Sequence, residues 1–150
     1  MLKEIYIPGI PDVKMRPRAT KKGHVYDPNA QAKEASIQKA ILILGPSGPF
    51  TGALEVTYKF VFPRPNNHYR TGKNSHILRD DAPLFCTVSK DLDNMEKFYA
   101  DSFNSIHYLD DRQIVRHDRS EKRWAFADEV PHVRMVIDAL EPEKETMITR

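Results

Sequence analysis

The chain has 150 residues, 40% of them hydrophobic and 29% charged, with a formal net charge of +2. That length suits one domain with a real core, and the composition argues against both a disordered and a membrane class. A near-neutral total leaves function to local charge, because a basic groove and an acidic site cancel in the sum.

Met1–Ile10 carries Lys3 and Glu4 within a very short apolar stretch, unlike a signal peptide, and no later stretch is long enough to span a bilayer, so a cytoplasmic protein is expected. Ile5–Ile7 reads as a short strand stopped by Pro8 and Pro11. A basic loop follows, in which Lys14, Arg16, Arg18, Lys21 and Lys22 fall within nine residues. Asp27-Pro28 reads as a helix N-cap with proline at the first helical position, and Ile37, Ala40, Ile41 and Leu44 continue at helical spacing until Gly45-Pro46. Leu54–Phe62 alternates, with Leu54, Val56, Tyr58, Phe60 and Phe62 on one face, and predicts a half-buried strand.

Arg64–Val88 shows no sustained period and reads as a long, mobile, partly basic substrate arm bearing Arg70 and Lys73. Within it Cys86, the lone cysteine, reads as a packing residue. A second helix is predicted over about Asn94–Ser105, with Met95, Phe98, Tyr99, Ser102 and Ile106 on one side and Asp93, Lys97, Asp101 and Asn104 on the other. Ile114–His117 is a predicted strand, Arg116, Arg119, Lys122 and Arg123 form a second basic stretch, and His132–Leu140 alternates with Val133, Met135 and Ile137 inward. The charged tail Glu141–Arg150 is expected to fray.

The chemistry concentrates in DLDNMEKFYADSFNSIHYLDDRQIV, residues 91–115. Asp91 and Asp93 bracket a helix start, Lys97 follows one turn later, and Asp110-Asp111 comes after the helix. Carboxylate oxygens suit a hard divalent cation such as Mg²⁺ or Mn²⁺, and phosphodiester cleavage needs a cation to activate water and to hold charge at phosphorus. Lys97 either pairs with Asp93 at i,i+4 or neutralises a phosphate in the transition state. The structural alternative is that the aspartates are helix caps and a surface turn. An EF-hand is excluded, since Met95 stands at the fifth ligand position and Glu96 replaces the required glycine. The six histidines show no zinc-ligand spacing with Cys86. Nucleotide-sugar transferases also use Asp-x-Asp, but the chain has no glycine-rich loop to build a nucleotide pocket.

This run resembles the signature of the RusA family of crossover-junction endodeoxyribonucleases, an Asp-x-Asp-Asn-x-x-Lys helix followed by an Asp-Asp-x-Gln segment. The upstream VKMRPRAT, followed by a tyrosine and a helix, is similar to the family's basic N-terminal segment. The resemblance implies an α+β fold, with a small mixed β-sheet and two main helices packed on one face, over residues 1–150 as a single domain. It also implies that Asp91, Asp93 and Asp111 bind metal and that Lys97 is the essential lysine, with the part of neighbouring Asp110 left open. The cofactor implied is Mg²⁺, with Mn²⁺ as the alternative. The partners implied are four-way branched DNA and a second copy of the chain, in phage or prophage recombination, repair or replication. One departure is visible: where many members have glycine after the helix asparagine, this chain has Ser105 after Asn104. Lys14, Arg16, Arg18, Lys21, Lys22, Arg70 and Lys73 are the expected phosphate contacts. A non-catalytic DNA-binding protein of the same fold is the competing expectation.

Overall fold

The computed structural model describes residues 1–88 and 90–141; the charged tail beyond Glu141 lies outside the described residues. Among these, the order is β1 (Leu2–Pro8), β2 (Arg18–Ala19), β3 (Val25–Tyr26), α1 (Ala30–Lys39), β4 (Ile41–Leu44), β5 (Leu54–Phe62), α2 (Leu92–Ser102), β6 (Ile114–His117), β7 (Glu121–Trp124) and β8 (His132–Ala139). The main sheet runs β4-β1-β8-β5-β6, with β7 also paired to β5. β4, β1, β8 and β5 join antiparallel, whereas β6 and β7 lie parallel to β5. The result is the expected α+β architecture, a mixed sheet with two helices.

β5 and β8 form the centre because their alternation buries one full set of side chains. Leu54, Val56, Tyr58 and Phe60 of β5 and Val133, Met135 and Ile137 of β8 are completely buried. Helix α2 covers them with Met95, Phe98 and Tyr99, and the Tyr99 ring lies 5.8 Å from that of Phe60. Burying each such side chain is worth about 2 kcal/mol. Intrinsic helix preferences differ by under about 0.7 kcal/mol per residue, so packing rather than propensity anchors α2. Helix α1 packs against α2 and touches β1.

The structure departs from the sequence reading at several elements. The first strand is longer than Ile5–Ile7, since Leu2–Pro8 pairs along its whole length with β8. The basic loop contains a small hairpin in which Arg18 and Ala19 of β2 face Tyr26 and Val25 of β3. Helix α1 starts at Ala30 with Asn29 as its N-cap, not at Pro28, and stops at Lys39. Ile41–Leu44 is therefore strand, not helix. Its apolar residues mimic a continuing helical stripe, but a free edge on β1 captures the run as β4. Gly45, at φ 100°, closes β4 where a Cβ would collide with the Leu2 carbonyl oxygen.

Helix α2 begins at Leu92 and ends at Ser102, leaving Ile106 beyond it. Segment 64–88 is irregular as expected, but it is laced down. Cys86 N–H donates to the Lys122 carbonyl at 3.1 Å, and Trp124 N–H donates to the Leu84 carbonyl at 2.9 Å. Within the second basic stretch, residues 121–124 form β7, which shares β5 with β6. β6 pairs with Leu54–Val56 and β7 with Lys59–Phe62. Where the ladder breaks between them, Tyr58 N–H donates to the Ser120 hydroxyl at 3.0 Å. Among the described residues no helix is long and apolar enough to cross a membrane.

Candidate functional site

Asp91 is the N-cap residue of α2, and its backbone carbonyl accepts from Met95 N–H, but its side chain makes no capping hydrogen bond. The carboxylate is thus not consumed by the cap. Asp93 lies in the first helical turn, and Lys97 approaches it at 3.9 Å, with both side chains well exposed. An exposed pair this long contributes little to stability, so Lys97 is available to another anion.

The second acidic motif is held as a rigid clip. Asp111–Gln113 is a single 3₁₀ turn whose N-cap, Asp110, accepts from Arg112 N–H at 2.9 Å. Gln113 Oε1 accepts from Leu109 and Asp110 N–H groups at 2.7 and 2.8 Å, completing a capping box. Gln113 Nε2 donates to the carbonyls of Phe50 and Gly52, both at 3.0 Å. Asp110 and Gln113 therefore act on the backbone, and the turn presents Asp111.

Asp93, Glu96, Lys97, Ala100, Asp111, Ile114 and His117 line one cleft of about 340 Å³ between α2 and the strand that follows the acidic turn. Asp93, Lys97 and Asp111 come together here, whereas Asp91 stands at the helix start outside that lining. The carboxyl of Asp111 is raised above the ordinary range, first by burial, then by Asp110 and Asp101, with Lys14 opposing. Glu96 is raised too, by burial and by Asp93, with His117 pulling the other way. A cleft short of positive charge and lined by hard oxygen donors fits a hydrated divalent cation in kind. Among the described residues no three His, Cys, Asp or Glu side chains stand close enough together to hold a metal ion by themselves, so an ion held here would depend on water and phosphate oxygens for much of its coordination.

Sequence reasoning passed over Glu96 and His117. Glu96 was legible, since it lies three residues from Asp93 on a predicted helix and therefore close to the same face. His117 was not, because it reaches the cleft only through pairing of β6 with β5.

The basic loop is fastened beside this cleft. Lys14 N–H donates to the Asn94 carbonyl at 3.2 Å and Asp12 N–H to the Tyr99 hydroxyl at 2.9 Å. Asn29 clamps Met15 in both directions at 2.9 Å. Lys14, Arg16, Lys21 and Lys22 are exposed, and Arg18 lies in β2. Arg70 and Lys73 fall elsewhere. Arg70 lines a separate groove with Arg79, Asp80 and Asp81 and pairs with Asp80 at 2.9 Å, while Lys73 is exposed on a 3₁₀ turn. The second basic stretch is partly neutralised as well, Arg116 by Glu55 and Arg123 by Glu129.

The family model described as Endodeoxyribonuclease RusA matches residues 8–138, which include both acidic segments and the basic arm. The chain belongs to the RusA family. No curated protein matches it. The RusA match spans β1's last residue through the penultimate residue of β8, so it takes in β5, α2 and β6, which line or carry the cleft. RusA proteins are endodeoxyribonucleases, and the acidic cleft beside a basic arm is the part of this fold suited to such work.

Proposed function

We propose that this RusA-family chain is a Mg²⁺-dependent endodeoxyribonuclease that resolves four-way DNA junctions by paired nicks, in recombination, repair or phage replication. Support comes above all from the cleft shared by Asp93, Lys97 and Asp111 beside a fastened basic arm. Asp93 and Asp111, joined by Asp91 from the helix N-cap, would hold Mg²⁺, with Mn²⁺ able to substitute; the ion would neutralise the phosphate and activate water. Lys97 supplies a fixed positive charge to the phosphate oxygens as negative charge builds up at phosphorus. Lys14, Arg16, Arg18, Lys21 and Lys22 hold the backbone of one arm of the junction, and Arg70 and Lys73 contact a more distant phosphate. A four-way junction has approximate two-fold symmetry, so a homodimer provides one cleft for each nicked strand.

The test is cleavage of labelled four-way junction, flap and linear duplex side by side, with Mg²⁺ or EDTA. Paired nicks in the junction with Mg²⁺ alone are expected. Asp93→Asn is expected to abolish nicking while keeping or tightening junction binding, because it removes a charge that repels phosphate. Nicking by Asp93→Asn at the parent rate contradicts the assignment. Junction binding without any nicking by the parent protein favours a non-catalytic binder of the same fold.

A further inference from the structure

We infer that His117 is a further catalytic residue of the cleft, a general base for the attacking water, and that Glu96 is its positioning residue. The inference rests on the nuclease reading above and adds a proton acceptor to it. His117 ends β6 and lines the cleft with Asp93, Lys97 and Asp111. Its Nδ1 lies 3.1 Å from the Val56 carbonyl oxygen. A carbonyl only accepts, so Nδ1 carries the proton, and Nε2 is left as the ring's lone-pair acceptor. Among the described residues Nε2 takes no hydrogen bond.

The carboxylate of Glu96 stands 3.3 Å from the same Nδ1, where its charge stabilises the imidazolium that forms once Nε2 takes a proton. The Glu96 side chain is only 14% exposed and that of His117 42%, so the orienting group is sheltered and the acceptor is reachable. Behind the ring lies Tyr58, 5.9 Å away between centroids and fully buried, which fixes the imidazole against the sheet. A carboxylate and a backbone carbonyl on one nitrogen, with the other nitrogen free beside a phosphate-sized cleft, is the arrangement a general base requires.

In the step, the water oxygen forms the new bond to phosphorus as its proton passes to Nε2. The bond from phosphorus to the 3′-oxygen breaks, and the departing oxygen takes a proton from solvent. The products are a 5′-phosphate and a 3′-hydroxyl, and the imidazolium then returns its proton to solvent. Lys97 stabilises charge throughout but accepts no proton, so the two residues divide the work.

The experiment compares the parent, His117→Ala, Glu96→Gln and the double variant on a labelled four-way junction under single-turnover conditions, with junction affinity measured separately. His117→Ala is expected to slow cleavage about 100-fold, to leave affinity unchanged, and to recover in proportion to added free-base imidazole. Glu96→Gln is expected to slow the parent but to cost nothing further in the His117→Ala background, because it acts through the ring. His117→Ala cutting at the parent rate, or slowed cutting that imidazole fails to restore, overturns the base assignment. Glu96→Gln remaining costly without His117, or shifting the Mg²⁺ concentration for half-maximal binding, overturns its positioning role. A parent protein that nicks no junction overturns the nuclease reading itself, whereas a nicking parent with an unaffected His117→Ala overturns only this inference.

Discussion

Single side chains record where this chain accepts strain or charge to hold the cleft in place. Ser105 sits at φ 67° in the turn after α2, the left-handed region in which a Cβ costs about 1–2 kcal/mol. This is the position where the RusA pattern favours glycine, and the turn keeps glycine's conformation with serine in it. Ser105→Gly recovers that cost but loses somewhat under about 1 kcal/mol to the freer unfolded chain. A net gain of about 1 kcal/mol in a urea melt is expected, and a loss would show that the serine is not strained. His107 is buried with its Nδ1 3.4 Å from the ammonium of Lys3, itself completely buried over the Phe50 ring. Burial first, and Lys3 second, push this imidazole down to about 4 from its ordinary 6.5. Between those values the unfolded chain binds the proton and the folded chain does not. Stability is therefore full above about 6.5, declines as pH falls, and has lost the whole contribution below about 4. Glu129, held down to about 2 by Arg123, loses its contribution only below its ordinary 4.5, whereas the raised carboxyls of Glu96 and Asp111 act in the opposite sense, so the histidine is read from the stability difference between the parent and His107→Gln in urea melts between pH 6.5 and 4.5. A parent-minus-variant difference that stays flat over that window would contradict the buried neutral His107.

Among elements, the 3₁₀ turn at Asp111 shows how an acidic motif is divided between a side chain presented to the cleft and scaffolding that holds the backbone. Gln113 touches no candidate substrate position, yet its amide ties the turn to Phe50 and Gly52 on one side and to the Leu109 and Asp110 backbone on the other. Gln113→Ala is expected to cost about 2 kcal/mol, since it removes four hydrogen bonds to backbone, two of them partly buried. Cleavage is expected to fall further than junction affinity, because the turn that presents Asp111 is released while the basic arm is untouched. Equal cleavage by this variant, measured at a temperature where it is folded, would place Asp111 outside the chemistry. α2 works by the same division: Met95, Phe98 and Tyr99 fasten it to the sheet, and the opposite face is left to Asp93 and Lys97.

For the whole molecule, a net charge of +2 conceals a separation of sign. The arm from Lys14 to Lys22 is basic and fastened to α2, whereas the cleft it borders holds Asp93, Glu96 and Asp111. Replacing Lys14, Lys21 and Lys22 by alanine is expected to flatten the salt dependence of junction affinity, by about 0.9 in log–log slope for each phosphate no longer neutralised. An unchanged slope would remove the arm from the interface. The sequence by itself determined the elements whose side-chain period is complete within the element: β5 and β8 by alternation, α2 by its 3.6-residue stripe. It also determined the acidic motifs, whose residue types and spacing carry their own chemistry. Only the tertiary structure decided that Ile41–Leu44 would become β4, that residues 121–124 would share β5 as β7, and that His117 would meet Glu96 across the cleft. The reason is that strand pairing draws on hydrogen-bond partners far away in the chain. An apolar or charged run takes up the edge that folding leaves open, and no local pattern encodes which edge that is.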